Sequence, residues 1–417
     1  MMSSSVLSQD TILFRSWLKF LPHCFLFLVF ILFPVAHLPV LGFPVYWSEL
    51  ALLGVMASAP LIGWTQLKNR WLLVVSEWQS LFFFSGLFLC GILVAFFSSP
   101  HTLSDWGEMK SFYVFPIFFL VSLLIFGETR RQLESFLLAW LLGTVAAALA
   151  ALGAASMGWV LYDGRLASAY LSPNYLAMLV APGVLLALYF SLVRIDRPVR
   201  WMGALSLGVF LPALWATHSY AAWLSLIVAL GVFLGFGKIS PKVLLKICIL
   251  VALAASIFLI RESRTEKWNT ILSGSDRSSL ASRVMIWRSA RQIAHDSFPW
   301  GIGVGRFQEM YLAAQPLYPP YLEWAVPTPH NLYLHFLIEG GLLALIGWLG
   351  SVSVVFIAVW KRWKQGQSKQ LTVFGAFAIS LLVFYLVYGL IDTPYMKNDL
   401  ALAIWGALGL LARSSRL

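Results

Sequence analysis

Four short stretches of an otherwise apolar chain hold nearly all the side chains able to do chemistry. The first is Gly164-Arg165-Leu166-Ala167-Ser168 followed by Ser172-Pro173-Asn174, and the second is Thr217-His218-Ser219-Tyr220. The third begins Ser282-Arg283-Val284-Met285-Ile286-Trp287 and leads to Asp296-Ser297-Phe298-Pro299-Trp300-Gly301-Ile302-Gly303. The fourth is Pro329-His330-Asn331-Leu332-Tyr333-Leu334, continuing to Glu339-Gly340-Gly341. Pro329 and Asn331 mark a helix start, and a helix N-terminus disfavours the charged form of an imidazole. A neutral imidazole there can accept a proton, so His330 is the candidate general base; capping the helix is its structural alternative. Arg283, Trp287, Ala290 and Ala294 share one helical face, which points Arg283 to where its segment packs. Arg288 and Arg291 lie off that face and read as solvated.

Other polar residues carry weaker signals. Glu339 lies nine residues beyond His330, or ~13 Å along a helix, too deep to share a substrate hydroxyl with it. Four residues from His335, it reads as a paired structural carboxylate. The Gly301-Ile302-Gly303-Val304-Gly305 run has no strand before it, so it reads as a tight turn permitting close backbone approach rather than as a phosphate loop. Asp392 and Asp399 flank the outer end of the eleventh hydrophobic run, where they either orient an acceptor or are solvated at the level of lipid headgroups.

The elements that position these residues must be membrane helices. Of 417 residues, 60% are hydrophobic and only 11% charged, against about a quarter charged in a soluble domain. The apolar runs reach ~20 residues, the length that crosses a bilayer core. This excludes a soluble enzyme, a nucleic-acid-binding protein and a disulfide scaffold. Cys24, Cys90 and Cys248 all sit in apolar segments with no Cys-x-x-Cys spacing, so neither a metal site nor a disulfide framework is indicated. Twelve spans are predicted, at 18–38, 45–65, 76–98, 111–127, 135–159, 174–193, 201–217, 221–236, 243–260, 330–360, 371–391 and 400–412. Arg15 and Lys19 precede the first, which serves as its own insertion signal.

Charge sets the orientation, because positively charged short loops stay in the cytoplasm. With both termini inside, the inside segments carry Lys68 and Arg70; Arg130 and Arg131; Arg194, Arg197 and Arg200; Lys238, Lys242 and Lys246; Lys361, Arg362, Lys364 and Lys369; and Arg413 and Arg416. Short outside loops are almost free of positive charge. The exception is 261–329, which is too long for a structureless connection and rich in Trp and Tyr. It reads as a folded extracytoplasmic cap containing an amphipathic helix over Ser282–Ala294, and its arginines call for an anionic partner. The chain thus divides into spans 1–9 (residues 1–260), the cap (261–329) and spans 10–12 (330–417). No internal repeat or matched pair of broken helices marks a transporter. Glu339 reads as the one carboxylate clearly buried in a span.

The order and spacing of the four stretches resemble the O-antigen ligase and polymerase superfamily of bacterial envelope glycan transferases, over about 160–350. The most specific likeness is His-Asn-x-x-Leu at 330–334 followed by Glu-Gly-Gly at 339–341. Next come Arg-x-x-x-Trp at 283–287 and Pro-x-Gly-x-Gly at 299–303; the chain departs from the family in having Tyr220 where an Arg is frequent. The resemblance implies an all-α polytopic membrane protein of about 12 transmembrane helices with an extracytoplasmic helical cap, GT-C-like. It implies an inverting, metal-independent and cofactor-free enzyme in the bacterial cytoplasmic (inner) membrane, moving a glycan from an undecaprenyl-diphosphate-linked donor onto an acceptor hydroxyl at the outer face. Arg165 and Arg283 would hold the diphosphate through their planar forks, His330 would be the base, and Asn174, Tyr220, Asn331 and Asp392 would support them. The acceptor, a glycolipid, a glycan or a protein, stays open between a ligase, a repeat-unit polymerase and a protein O-oligosaccharyltransferase. A transporter or flippase and a non-catalytic scaffold are the readings from other classes.

Overall fold

A computed structural model of the protein describes residues 18–34, 45–170, 172–193, 196–236, 260–261, 263, 268, 278–319, 324–364 and 373–415. The predicted span at 243–260 lies almost wholly outside them. The helices in chain order are α1 (Leu21–Leu32), α2 (Trp47–Ser58), α3 (Trp64–Glu77), α4 (Gln79–Phe97), α5 (Leu103–Phe126), α6 (Arg130–Ser156), α7 (Pro173–Val193), α8 (Arg197–Ala216), α9 (Tyr220–Phe236), α10 (Ser279–Asp296), α11 (Phe307–Ala314), α12 (Leu332–Lys364), α13 (Val373–Tyr388) and α14 (Asn398–Ser414). No strand occurs among the described residues. Among the described residues six helices, α4 to α8 and α12, are long and apolar enough to cross a membrane, and α1, α9 and α13 are shorter apolar helices. The chain is an all-helical, multi-pass membrane protein.

Three boundaries depart from the sequence reading. The span expected at 45–65 runs from Trp47 to Ile62 and then turns by 115° into α3, where a short cytoplasmic connection was expected. Gly63, at φ 101°, makes that corner, a conformation only glycine adopts readily. α5 begins at Leu103, eight residues before the expected start, because Thr102 and Asp105 cap one another across its first turn. The third departure is in α12, which is not continuous: Gly341 sits at φ 70° and ψ −169° and divides it.

That break docks the segment read as a cap. Carbonyls beside the break take donors from the Gly301 turn: Ile302 N–H donates to Ile338 O (2.7 Å) and Gly303 N–H to Glu339 O (3.2 Å), while Leu342 N–H donates to Pro299 O (2.8 Å). The close backbone approach expected of this glycine run is therefore met. A methyl group on Gly301, itself at φ 84°, would lie 2.6 Å from Gly341 N. Gly301→Ala is expected to combine that clash with backbone strain of about 1–3 kcal/mol and to lower the melting temperature of the detergent-solubilised protein; an unchanged melting curve would show that the turn does not secure the cap. Around it α10 and α11 build a small core from Ile286, Ile293, Ile302, Phe307, Tyr311 and Ile338.

The bundle behind this junction is held by close helix contact. Hypothetical Cβ atoms on Gly91 of α4 and Gly347 of α12 would meet the facing backbones at Ala344 N and Phe88 N, the small-residue packing typical of membrane helices. Buried carboxylates are more numerous than expected. Besides Glu339, Glu49 is 1% exposed and paired with Lys110 at 2.6 Å, and Glu134 accepts from Tyr189 (2.7 Å) and Arg130 (3.0 Å). Lys110 and Tyr189 stand in helices remote in sequence, which the local pattern did not reveal, while Arg130 is one turn away. Glu339 itself is held by Tyr113 (2.6 Å), with His335 Nε2 3.7 Å away, as a structural carboxylate.

Candidate active site

The four polar stretches converge at one end of the bundle. Leu166 N–H donates to Ala216 O (2.8 Å), joining the first stretch to the second; Ser219 Oγ lies 3.0 Å from the Tyr388 hydroxyl, joining the second to the end of α13. At the other end, Arg70 pairs with Glu128 (3.0 Å) and Arg362 with Glu77 (2.8 Å), so segments read as lying on one side of the membrane do contact one another.

Asp392, in the loop between α13 and α14, is the centre of the site. Its Oδ1 is 2.7 Å from His330 Nδ1 and accepts from Thr393 N–H (2.8 Å). Its Oδ2 accepts from Asn174 Nδ2 (3.0 Å) and from an Arg283 terminal nitrogen (3.3 Å). Burial opposes ionisation of this carboxyl, but the His330 and Arg283 charges and the Thr393 amide outweigh it and hold its pKa well below the carboxylate range. Only 2% exposed, it is not solvated among headgroups. Asp399, also fully buried, accepts from Tyr170.

His330 is fixed from several sides. It has φ 47°, an uncommon value for any residue but glycine, and Ser168 (φ 55°) and His218 (φ 47°) in two of the other stretches share that conformation. The strain, of order 1–3 kcal/mol per residue, is held by the surroundings. Trp287 Nε1 donates to His330 O (3.2 Å), Leu332 N–H to Gly389 O (2.7 Å), and Asn331 Nδ2 to Leu390 O (3.0 Å). Asn331 Oδ1 accepts from Tyr333 and Leu334 N–H, both at 3.0 Å, so Asn331 rather than His330 caps α12. With a carboxylate on Nδ1, that nitrogen carries the hydrogen and Nε2 keeps its lone pair.

The cations are placed unequally. Arg283 uses three donors inside the protein, to Asp392, to Ile391 O (2.8 Å) and to Ser279 O (3.2 Å), leaving two of its five N–H groups. Arg165 pairs with Asp163 at 2.6 Å within its own loop and has no bond to the Asp392 cluster. Tyr220 begins α9 with its ring 6.2 Å from that of Trp268. Sequence reasoning missed Lys397, whose ammonium lies 5.3 Å from the centroid of the Tyr175 ring. Tyr175 follows Asn174, which donates to Asp392. The isolated position of Lys397 in the short loop between α13 and α14 was its one signal.

An imidazole oriented by a buried carboxylate, with its second nitrogen open and cations at hand, can take a proton from a hydroxyl while an anion is held nearby. The chain has no match among curated proteins. Residues 205–349, about a third of it, match the family described as O-antigen ligase (Wzy_C), a stretch running from within α8 to beyond the break in α12 and including Arg283 and His330. By that match residues 205–349 are similar to the O-antigen ligase family.

Proposed function

We propose that the protein moves a glycan from an undecaprenyl diphosphate carrier onto an acceptor hydroxyl, at the outer face of the bacterial cytoplasmic membrane, in a twelve-span bundle with residues 261–329 as its extracytoplasmic cap. The observation that carries this reading is the 2.7 Å contact between His330 Nδ1 and the buried Asp392 carboxylate. His330 Nε2 takes the acceptor hydroxyl proton as that oxygen attacks the anomeric carbon. The bond from that carbon to the diphosphate oxygen breaks, its electron pair leaves with the diphosphate, and the centre inverts. Asp392 keeps the tautomer and stabilises the imidazolium that forms, as in other base–carboxylate pairs. Arg165, Lys397 and the two remaining donors of Arg283 compensate the charge growing on the leaving group, charge-assisted bonds each worth about 1.5–3 kcal/mol.

The test is transfer of labelled glycan from an undecaprenyl diphosphate donor by the purified protein, with glycolipid, glycan and protein acceptors offered separately. Formation of a glycosidic bond to one of them is expected. Movement of intact carrier across vesicles without bond formation would make the protein a flippase.

Arg165→Ala and Arg283→Ala are each expected to cut transfer by at least tenfold with expression retained, the loss of one charge-assisted bond or more. Lysine at either position should rescue poorly, because an ammonium lacks the planar fork. EDTA should have little effect; strong inhibition reversed by a divalent cation would place a metal on the diphosphate instead. Orientation is checked by a membrane-impermeant thiol reagent on intact cells, in a chain freed of Cys24, Cys90 and Cys248. A cysteine replacing the exposed Tyr162 should react and one replacing Arg131 should not; the reverse pattern would invert the topology.

A further inference from the structure

The outward face of α10 borders a groove of about 930 Å³ that the proposed transfer step does not use. Trp287, Arg288, Arg291, Gln292 and His295 line it from the helix, and Tyr318 closes it from the segment after α11, its hydroxyl 3.3 Å from Gln292 Oε1. The volume lies within the range of about 300–1,000 Å³ in which proteins hold small ligands. One end of the groove is formed by Trp287, which donates its indole N–H to the backbone carbonyl of His330. From Trp287 it follows eight residues of helix to His295, ~12 Å at 1.5 Å per residue.

Among the described residues that line it, the charge is one-sided. Arg288 and Arg291 are exposed and make no hydrogen bond or ion pair with any described residue. The acid nearest in sequence, Asp296, is held by Gln292 Nε2 (2.8 Å) and His295 Nδ1 (3.1 Å) at the far end. By contrast Arg165 pairs with Asp163, Arg283 with Asp392 and Arg306 with Glu309. Two open guanidiniums beside an indole, a phenol and an amide match an anionic saccharide. Guanidinium forks bind carboxylate or phosphate groups, and aromatic side chains present an apolar face beside a polar tip to a sugar ring.

We infer that this groove holds an anionic stretch of the acceptor saccharide, with Arg288 and Arg291 on its charged groups and Trp287 at the end nearest the reacting hydroxyl. Assignment to the acceptor, rather than to the donor, rests on the proposed role of His330 as the base that deprotonates the acceptor. An anionic lipid surface is the competing source of negative charge, and the test separates the two.

The full-length protein in nanodiscs of neutral lipid would be titrated calorimetrically with a hexamer of galacturonate and with maltohexaose, a neutral hexasaccharide. The uronate is expected to bind with a salt-dependent affinity and the neutral sugar at least tenfold more weakly. Arg288→Ala/Arg291→Ala should remove most of that difference, and a loss of about tenfold or more is expected for two charge-assisted contacts. Both positions are exposed, so the variant should fold; its melting curve serves as the control. His330→Asn, which tolerates the left-handed backbone there, should bind the uronate as the parent does, so the groove is tested independently of catalysis. Equal affinity for the two sugars, or unchanged uronate binding by the double variant, would overturn the inference while leaving the transfer proposal standing. So would a double variant whose only defect is weaker partition onto vesicles containing phosphatidylglycerol, which would make the groove a lipid contact. Conversely, uronate binding that depends on both arginines in a protein with no transfer activity would retain a saccharide site and refute the assignment to an acceptor.

Discussion

Asp392→Asn is expected to lower glycan transfer by about 10⁴-fold, the scale seen when the carboxylate behind a catalytic imidazole becomes an amide. The four donors around Asp392 explain why so small a change matters. Oδ1 faces His330 Nδ1 and Thr393 N–H, and Oδ2 faces Asn174 and Arg283. An asparagine must turn its NH₂ toward one of these pairs. Turned toward Arg283 and Asn174, it opposes donors with donors and loosens the cap helix. Turned toward His330, it forces Nδ1 to accept, moves the hydrogen to Nε2 and leaves no lone pair for the acceptor hydroxyl. Purified variant and parent compared under saturating donor would decide the matter; loss below tenfold would remove Asp392 from the mechanism. Stability gives a second readout. Because the folded pKa is depressed, the ionised carboxylate contributes stability above the ordinary carboxylate value of about 3.9, and that contribution fades only as pH falls toward the lower folded value. The melting temperature of Asp392→Asn should therefore lie below that of the parent at pH 7, with the gap closing in acid.

His330→Gln is expected to cost about 10²- to 10⁴-fold in rate, the contribution of a positioned base, while donor binding persists on the cations. Glutamine can hydrogen-bond Asp392 but cannot take a proton. The left-handed backbone at this position strains glutamine, so His330→Asn is the matched control, asparagine being among the residues that tolerate that region. Both variants should be inactive with the asparagine protein folding normally. Combined with Asp392→Asn, either should lose little more than it does alone, since residues acting as one unit are strongly non-additive. A folded His330→Asn protein with near-parental rate would show that the proton is taken elsewhere.

How much of this was legible in the sequence depended on the range of the interaction. Apolar length identified a multi-pass helical protein, and helices such as α7, α8 and α9 begin and end within a few residues of expectation. The four polar stretches were visible as interruptions, and His330, Arg283, Asn174 and Asp392 do meet. The central place of Asp392 was not visible: 62 residues separate it from His330, and a lone aspartate at a membrane boundary is ordinarily solvated. Arg283 points inward as its helical face indicated, but its use on Ile391 O depends on a loop from the other side of the chain. The break at Gly341 was hidden inside a long apolar run, where a Gly-Gly pair does not by itself stop a helix. α3 was missed because its residues are too polar for a span and a basic pair suggested only a short connection.

The divided α12 has a mechanical consequence. Its first nine residues, 332–340, are tied at one end to the turn at 301–303 and at the other to the loop at 389–392. The imidazole therefore stands on a short strut pinned at both ends, with no free hinge beneath it. On the role proposed for His330, its aim is set when the protein folds and transfer requires no rearrangement of it. Ligand-free and ligand-bound forms should superimpose over 299–303, 330–342 and 389–392, so that any gate admitting a lipid-borne substrate has to be built from segments outside this rigid frame.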